Sequence, residues 1–566
     1  MTYKECVSGS GAGNVHALIR VHLHLYVLAL VLYSPMIAAA QTSILTQHYD
    51  NARTGQNTNE TILTTQNVNS TTFGKLFSLR VDGYVYAQPL YVPRLATSVR
   101  GTHNVLYVAT ENDSIYAFDA DSGAQLWKTS FLINGATTVT SGCPDLPVVG
   151  VTATPVIDPL THTLYAVSET EESGSPVHRL HALDITTGKE KFGGPVIIKA
   201  SVQGSGFGSK ITFNDQSTHN RPGLLLDNGY VYIGFGSLCD QGPWRGWVLA
   251  YNASTLLQSG AWVTTPNGEQ GGIWNAGGGI AADASGNAYV VTGNGDYPWL
   301  SGLPLGQHAP QPSPAVDFGD SVVRLSLANG KPLPKDYFVP YNQELMFTQN
   351  LDLGSGGVIL LPDQPGPYPH ILITGGKLGL LYLLNRDQLT SDNSYYCNGC
   401  SGDPEIIQTV TVSGPAGGIF STPTYWNGGV YIWAQSDSLK LYPLINGQLG
   451  PLSSRSLETM AFPGSTTVIS SNGTTNGIVW SVDYFGGGPA ILRAYDATNV
   501  ANLLYGSNLT QERDTLGAGV KFVVPVVTNG KVYVGTQTEV DVFGLLGGRH
   551  RGPVDLSRQS KSTRAD

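Results

Sequence analysis

The stretch AQPLYVPRLATSVRGTHNVLYVATENDSIYAFDADSGAQLWKTSF, from Ala87 to Phe131, contains four short apolar segments separated by turns. The segments are rich in Val, Tyr, Phe and Leu, and they are bounded by Gly, Pro, Asn and Asp, which is typical of β-strands. In the turn DADSG the acidic and serine side chains can cap the backbone while glycine takes a positive φ. The stretch therefore predicts a four-stranded antiparallel sheet.

Seven further copies of this pattern follow along the chain, at the spacing of propeller blades with insertions. The economical prediction is an all-β protein, an eight-bladed β-propeller with four-stranded antiparallel blades. The last copy stops after its third strand at Leu546, whereas FGKLFSLRVDG, Phe73 to Gly83, is a strand without a blade. Pairing the two would close the ring with an N-terminal strand and remove its open sheet edges. The predicted second strands lie near Tyr107, Tyr165, Tyr232, Tyr289, Ile373, Tyr431, Val479 and Tyr533.

The composition narrows the range of partners. The chain has 566 residues with 69 glycines and 33 prolines, which fits an all-β protein. Its length allows either three average domains or one large propeller, so length alone does not set the domain count. Only 13% of the residues are charged and the net charge is -10. Because no basic field is available to hold a phosphate backbone, we expect no nucleic-acid partner.

The N-terminus has the features of a secretory signal: Lys4 and Arg20, an apolar run from Val21 to Ile37, and three alanines before Gln41. The alternative is a membrane anchor, but the run is short and is interrupted by histidines and a proline. We therefore expect residues 1–40 to be a signal peptide, residues 41–546 a single propeller, and residues 547–566 a disordered basic tail. The mature protein would be secreted or periplasmic, without a later transmembrane span.

Removal of the signal would leave an even number of cysteines: Cys143, Cys239, Cys397 and Cys400. In an oxidising compartment this favours disulfides. The motif CNGC at 397–400 lies among loop residues without a second CxxC or a histidine pair, so a local disulfide is favoured over redox or zinc chemistry. Whether Cys143 pairs with Cys239 stays open at this stage.

The turn sequence AFDADSGAQLW, Ala117 to Trp127, resembles the AxDxxTGxxxW motif of pyrroloquinoline quinone (PQQ) dehydrogenases, the eight-bladed quinoprotein alcohol dehydrogenases. The motif returns in weaker form in ALDITTGKEKF and AYDATN. The segment HYDNARTGQNTNETILTTQNVNSTTFGKLF also resembles the opening of that family, so the resemblance covers nearly the whole mature chain. Blade motifs are shared with non-catalytic propellers and imply the fold rather than the function.

Four segments resemble the site region of the family. GGIWN resembles the segment whose tryptophan lies under the planar quinone, which implies that role for Trp274, and VTGNGDYPW resembles the TGNxxPW calcium segment, which implies Asn294 as a metal ligand. NLDLGSGG implies Asp352 as the catalytic base, and GGKLGLLYLLNRD implies Lys377 as a contact to the quinone oxygens. Read without the resemblance, each residue could instead be a packed aromatic, an Asn-Gly turn or a solvated charge.

The chain also departs from the family. SGCPDLPVVGV has a single cysteine, Cys143, where the family has an adjacent pair, and Val149 stands where an arginine contacts the quinone. The glutamate that binds calcium falls near LCDQGPWRGW, where Asp240 is the closest carboxylate. A shorter acid would have to reach farther to bind Ca²⁺. No CxxCH motif is present, so we expect no haem.

Two functions are therefore compatible with the sequence. One is an exported PQQ- and Ca²⁺-dependent dehydrogenase that acts on an alcohol or sugar hydroxyl, which the four site segments favour. The other is a non-catalytic propeller that binds a protein or a glycan in the cell envelope, which the missing cysteine pair and arginine favour. A glycosidase is a more remote alternative, because no motif fixes a pair of carboxylates.

Overall fold

The computed structural model describes residues 41–97, 101–143, 146–204, 210–297, 309–397, 399–414, 417–484 and 486–547. The predicted signal peptide, and the predicted tail beyond residue 547, lie outside the described residues. All described residues belong to one compact unit. In these ranges no helix is long and apolar enough to cross a membrane.

The first half of the chain builds two N-terminal strands and four sheets. The N-terminal strands are β1 (Gln56–Asn57) and β2 (Phe73–Arg80). Sheet 1 contains β3 (Leu90–Thr97), β4 (Gly101–Thr110), β5 (Ser114–Asp119) and β6 (Gln125–Ser130). Sheet 2 contains β7 (Thr137–Cys143), β8 (Leu146–Val149), β9 (Val156–Asp158), β10 (Thr163–Glu172), β11 (Ser175–Asp184) and β12 (Val196–Ile197). A separate hairpin, β13 (Ser201–Gln203) and β14 (Lys210–Thr212), precedes sheet 3. Sheet 3 contains β15 (Thr218–His219), β16 (Leu225–Asp227), β17 (Tyr230–Ser237), β18 (Trp247–Asn252) and β19 (Gln258–Val263). Sheet 4 contains β20 (Ala281–Ala282), β21 (Asn287–Val291), β22 (Val322–Ser326) and β23 (Leu333–Phe338).

The second half builds four more sheets. Sheet 5 contains β24 (Ile359–Leu360), β25 (Ile371–Gly375), β26 (Leu380–Asn385) and β27 (Gln408–Thr411). Sheet 6 contains β28 (Thr424–Trp426), β29 (Gly429–Ile432), β30 (Asp437–Ile445), β31 (Gln448–Leu449) and β32 (Ser454–Met460). Sheet 7 joins β1 to β33 (Val468–Asn472), β34 (Thr475–Asp483), β35 (Ile491–Asp496) and β36 (Leu503–Gly506). Sheet 8 joins β2 to β37 (Val526–Thr528), β38 (Lys531–Gly535) and β39 (Glu539–Leu545).

Helices are short and lie in the connections between strands. The described chain has one α-helix, α1 (Gln343–Thr348), and 3₁₀ turns at Ala328–Gly330, Leu353–Ser355, Ser507–Leu509 and Gln511–Asp514. The protein is therefore all-β, as the strand pattern predicts, and each residue used to locate a predicted second strand lies in a strand. Sheets 1, 4, 5 and 8 have the four strands expected. Sheets 2, 3, 6 and 7 have more, because loops and insertions contribute extra edge strands.

The sheets pack face to face, which explains why their middle strands are apolar on both sides. All six residues of β5 are buried, whereas β6 alternates between exposed and half-buried positions. One apolar cluster joins residues of sheets 7, 8 and 1, including Trp480, Tyr533 and Tyr91. A strand that is buried on both faces has no need of the alternating pattern of a half-exposed strand.

Sheet 8 is completed by the N-terminal part of the chain. β2 pairs antiparallel with β39, from Phe73 opposite Leu545 to Arg80 opposite Glu539. This is the pairing predicted from the missing fourth strand of the last sequence repeat. The pairing also protects the exposed edge of β39, which could otherwise pair with another chain.

Residues 44–57, which we call the inner segment, bond to one strand of each of the eight sheets. Its backbone or side chains hydrogen-bond, in chain order, to Tyr91, Ile157, Leu226, Ala282, Leu360, Tyr425, Ile469 and Val527. Arg53, fully buried within the segment, donates to the carbonyl oxygens of Ile280 at 2.8 Å and Leu224 at 3.1 Å. Burial lowers the pKa of Arg53 to about 10. The inner segment thus ties all eight sheets together.

Candidate functional site

Trp274 lies in the loop between sheets 3 and 4 and packs against glycine backbone. A Cβ added at Gly236 would lie 2.6 Å from its indole Nε1, and one at Gly272 would lie 2.7 Å from its Cζ2. A second tryptophan, Trp244, meets the ring edge-on with centroids 5.5 Å apart. The indole is half-buried. The backbone of Gly236 and Gly272 thus packs closely against the indole, which keeps a partly accessible aromatic face.

Asn294 lies three residues after the end of the buried strand β21. Its backbone N–H donates to Asp352 Oδ1 at 2.8 Å, and its side-chain Nδ2 donates to Asn350 Oδ1 at 2.9 Å. Its own Oδ1 is buried and has no hydrogen-bond partner. A buried amide oxygen without a partner is uncommon and indicates a missing water, ion or ligand.

Lys377 follows β25 and meets the same group. Its Nζ forms an ion pair with Asp352 Oδ2 and donates to Asn350 Oδ1 at 2.9 Å. The side chain of Asp352 is 7% exposed and that of Lys377 is 24% exposed. The backbone N–H of Lys377 also donates to the Asp352 carbonyl at 3.0 Å. The pair is therefore held by both side-chain and backbone contacts.

Gly293 places the tryptophan beside this group. A Cβ at Gly293 would lie 2.3 Å from Asp352 Oδ1 and 2.3 Å from Trp274 Cζ3. The indole edge and the carboxylate therefore flank the same Cα, and no side chain larger than hydrogen fits between them. Four of the five predicted site residues, Trp274, Asn294, Asp352 and Lys377, thus come together from four separate inter-strand loops. Their chemical roles stay predictions.

Asp240, the fifth predicted residue, lies elsewhere. It is exposed in the loop after β17, with a φ of 52°, and accepts a hydrogen bond from Ser237 Oγ at 2.6 Å. No described contact joins it to Asn294. Its assignment as a metal ligand stays a prediction that the contacts do not support.

Sequence reasoning missed Asp320, a fully buried acid beside the site. Its carboxylate accepts from the backbone N–H of Leu353 at 3.0 Å and from Gln343 Nε2 at 3.2 Å. Burial, reinforced by the charge of Asp352, raises the pKa of Asp320 well above its ordinary value. Of these two acids, Asp352 is the one in direct contact with a cation, Lys377. The available signal was an acid two residues before β22, and Asn350 is the first residue of the segment NLDLGSGG.

The cysteines form two disulfides, Cys143–Cys239 and Cys397–Cys400. The second is the local bridge that the CNGC motif predicts. The first joins sheet 2 to the loop after β17 and settles the pairing that the sequence left open. Val149 is fully buried in an apolar cluster next to this disulfide.

A second buried polar group lies between sheets 1, 2 and 3. Glu169 Oε2 contacts His219 Nδ1 at 2.8 Å and His178 Nε2 at 3.3 Å. Although burial opposes both changes, the paired charges lower the pKa of Glu169 and raise that of His178. Nearby Glu111 accepts from Gly150 N at 2.7 Å, and burial raises its pKa to about 8. Glu111 is thus largely neutral at pH 7 and ionises just above it.

The sequence matches no protein-family model and no curated protein. Solved structures are similar in fold. Quinohemoprotein alcohol dehydrogenase from Comamonas testosteroni is 16% identical with a TM-score of 0.57, over 91% of this chain and 82% of that one. Quinohemoprotein alcohol dehydrogenase ADHIIG from Pseudomonas putida HK5 is 15% identical with a TM-score of 0.56, over 93% and 82%. A europium-containing methanol dehydrogenase is 14% identical with a TM-score of 0.56, over 89% and 98%. The chain thus has the β-propeller fold of quinoprotein alcohol dehydrogenases, as the resemblance implies.

Proposed function

We propose that this chain is an exported, PQQ-dependent oxidoreductase that acts on an alcohol or sugar hydroxyl. The observation that carries the proposal is the meeting of Trp274, Asn294, Asp352 and Lys377 around Gly293. The four residues come from distant segments, and each was expected at this place from its own motif. A buried acid paired with a cation beside an accessible aromatic plane is the arrangement that such chemistry needs.

We further propose that the fold is a closed eight-bladed propeller. Three observations support it: the eight sheets in chain order, the pairing of β2 with β39, and the inner segment that bonds to every sheet. In a closed ring, the loops that carry the four residues would meet at the mouth of the central channel.

PQQ fits part of the site. The half-buried face of Trp274, with glycine backbone around it, provides a surface for a planar ring system. Lys377 provides an ammonium within reach of ligand oxygens at that surface. When bound, PQQ would supply the two-electron acceptor for the oxidation. The chain lacks the adjacent cysteine pair, and buried Val149 provides no charge, so the binding energy has to come from the indole and the lysine.

The residues of the chain supply the acid–base chemistry. Asp352 forms an ion pair with Lys377, and its Oδ2 would accept the proton of the substrate hydroxyl. The backbone N–H of Asn294 fixes the other carboxylate oxygen, so the base is oriented before substrate arrives. Asp320 accepts a hydrogen bond from the backbone N–H of Leu353 and so fixes the residue directly after the proposed base.

Calcium fits this site poorly. One buried oxygen, Asn294 Oδ1, is free to bind a cation, but both oxygens of Asp352 are already engaged and Asp240 is bonded to Ser237. Ca²⁺ takes six to eight oxygen ligands. We therefore assign no catalytic step to calcium.

Reconstitution with PQQ tests the proposal. Titration of purified protein with PQQ should shift the absorbance of the cofactor and quench tryptophan fluorescence, and Trp274→Ala should weaken both signals. Trp244→Ala is the matched control, because that ring meets Trp274 only through its edge. With PQQ bound, an alcohol and sugar panel should reduce an artificial dye, and Asp352→Asn should abolish turnover without loss of PQQ binding. If PQQ causes no spectral change, the oxidoreductase proposal is refuted.

A second candidate is a non-catalytic propeller that binds a protein or glycan. It is favoured by the burial of Val149 in an apolar cluster and by the bonding of Cys143 to a distant cysteine. Both features remove contacts that the resemblance implies for the quinone. Failure to bind PQQ, together with capture of a specific glycan or envelope protein, would support this alternative.

Export, the signal peptide at 1–40 and a disordered tail at 547–566 belong to the proposal. They rest on the sequence pattern and on the pair of disulfides. N-terminal sequencing of protein recovered from the medium or periplasm should begin at Gln41. Recovery of full-length chain in the cytoplasm would contradict export.

A further inference from the structure

The carboxylate at the site already has a cation as its partner. The ammonium of Lys377 lies in direct contact with Asp352, whose side chain is 7% exposed. A buried carboxylate needs one compensating charge, and the chain provides one. A divalent cation in the same space would leave an excess of positive charge beside Lys377.

Among the side-chain oxygens of Asp352, Asn350 and Asn294, all but Asn294 Oδ1 are also used. Asp352 Oδ1 accepts from the backbone of Asn294, and Asp352 Oδ2 contacts Lys377. Asn350 Oδ1 accepts from both Lys377 Nζ and Asn294 Nδ2, each at 2.9 Å. Within the described ranges, no group of three or more His, Cys, Asp and Glu side chains is arranged to hold a metal ion. The donor set is that of an ammonium site, in which three N–H groups each seek one acceptor.

We infer that the ammonium of Lys377 is the resident cation of this site and takes the place of a divalent metal. The identity of the ligand, a quinone, rests on the proposed function. The behaviour of the cation does not depend on that function. Two of the three N–H groups point to Asp352 and Asn350, which leaves one for a ligand oxygen at the opening, where the lysine is 24% exposed. Binding of a quinone should therefore proceed in the absence of Ca²⁺.

Removal of the ammonium should create a metal site. Lys377→Met leaves the Asp352 carboxylate unpaired beside the free Oδ1 of Asn294 and the released Oδ1 of Asn350. Carboxylate and amide oxygens are the ligands that Ca²⁺ and lanthanide ions prefer. The variant should thus gain affinity for these ions while the wild type has none at this place.

Terbium luminescence tests this without PQQ, because Trp274 lies close enough to sensitise a bound ion. Wild type and the exposed-lysine control Lys335→Met should show no saturable signal. Lys377→Met should give a saturable Tb³⁺ signal, with a Kd at least about tenfold below the highest concentration at which wild type shows none, a difference of about 1.4 kcal/mol. Asn294→Ala in the Lys377→Met background should reverse the gain. Lys377→Arg, which keeps the charge, should behave as wild type and covers the case in which Lys377→Met does not fold.

A PQQ titration in EDTA and in excess Ca²⁺ provides the second arm. Equal affinity of the wild type in both media supports Lys377 as the cation. A gain of tenfold or more with Ca²⁺, or wild-type Tb³⁺ luminescence that Asn294→Ala removes, would overturn the inference. If PQQ binds in neither medium, the proposed function fails, while the terbium results still decide the role of Lys377.

Discussion

The ion pair between Asp352 and Lys377 should be worth more than a surface pair, and a double-mutant cycle can measure it. We consider Asp352→Asn, Lys377→Met and the double variant. Asparagine keeps an oxygen for the backbone N–H of Asn294, and its amide N–H₂ replaces the oxygen that contacts Lys377, so the first change removes the charge and that one acceptor. Methionine keeps most of the lysine stem and removes the ammonium.

The expected coupling follows from burial. Two unit charges at 4 Å interact by about 4 kcal/mol at an effective dielectric constant of 20. Asp352 is 7% exposed but Lys377 is 24% exposed, so water screens part of this energy. Exposed pairs contribute about 0–1 kcal/mol, and loss of one partner of a fully buried pair costs about 3–5 kcal/mol. We expect a coupling free energy of about 2 kcal/mol.

Urea-induced unfolding at neutral pH, followed by tryptophan fluorescence, gives the four free energies of the cycle. The matched control is the pair Lys128–Asp82, whose atoms are 2.8 Å apart but whose side chains are 35% and 21% exposed. The same cycle there should give a coupling below about 1 kcal/mol. If Asp352–Lys377 couples no more strongly than the control pair, the site is not a low-dielectric environment and the electrostatic reasoning is refuted.

Three further results are expected. Gly293→Ala should abolish PQQ binding, because its Cβ would lie 2.3 Å from both the indole and the carboxylate, whereas Gly402→Ala, which meets nothing within 4 Å, should bind as wild type. The pKa of Glu111 is raised to about 8, so its contribution to stability is complete below its ordinary pKa and is lost as the pH rises towards about 8. In urea unfolding, Glu111→Gln should remove up to about 5 kcal/mol of this pH dependence. Arg53→Met should cost about 3–5 kcal/mol in the same assay, since buried carbonyl groups lose their donors, whereas exposed Arg455→Met should change stability by less than about 0.5 kcal/mol.

The sheets could be predicted because each signal is local. Tyr107 and its counterparts stand in strands buried on both faces, and turns such as DADSG carry their own hydrogen-bonding side chains, as when Asp119 Oδ1 accepts from the backbone of Ser122. The inner segment escaped prediction because its residues form few regular strands. Its order comes from eight separate partners far away in sequence, and no local period records them.

The site was partly predictable for a different reason. Asn294 lies between two glycines after a buried strand, and Asp352 directly precedes the glycine-containing segment LGSGG, so each motif is contiguous in sequence. Asp320 was missed because its role depends on Leu353 and Gln343, residues of another loop and of α1. Asp240 was assigned by sequence position alone, and a disulfide at its neighbour Cys239 holds its loop at sheet 2.

Backbone hydrogen bonds join neighbouring loops of the site. The positions of these loops therefore depend less on the side chains that would bind a ligand. Gly293 N donates to Gly272 O at 2.9 Å, Asp320 N donates to Gly293 O at 2.8 Å, and Lys377 N donates to Asp352 O at 3.0 Å. The first two bonds link the loop of Trp274 to the loop of Asn294 and to the start of β22, and the third links the loops of Asp352 and Lys377, all without using a side chain. Substitution of the Asn294 amide or the Lys377 ammonium should therefore leave the loops in place and change only ligand or ion binding. Substitution of the glycines should have the opposite effect and displace the loops, because a side chain at these positions would push the loops apart.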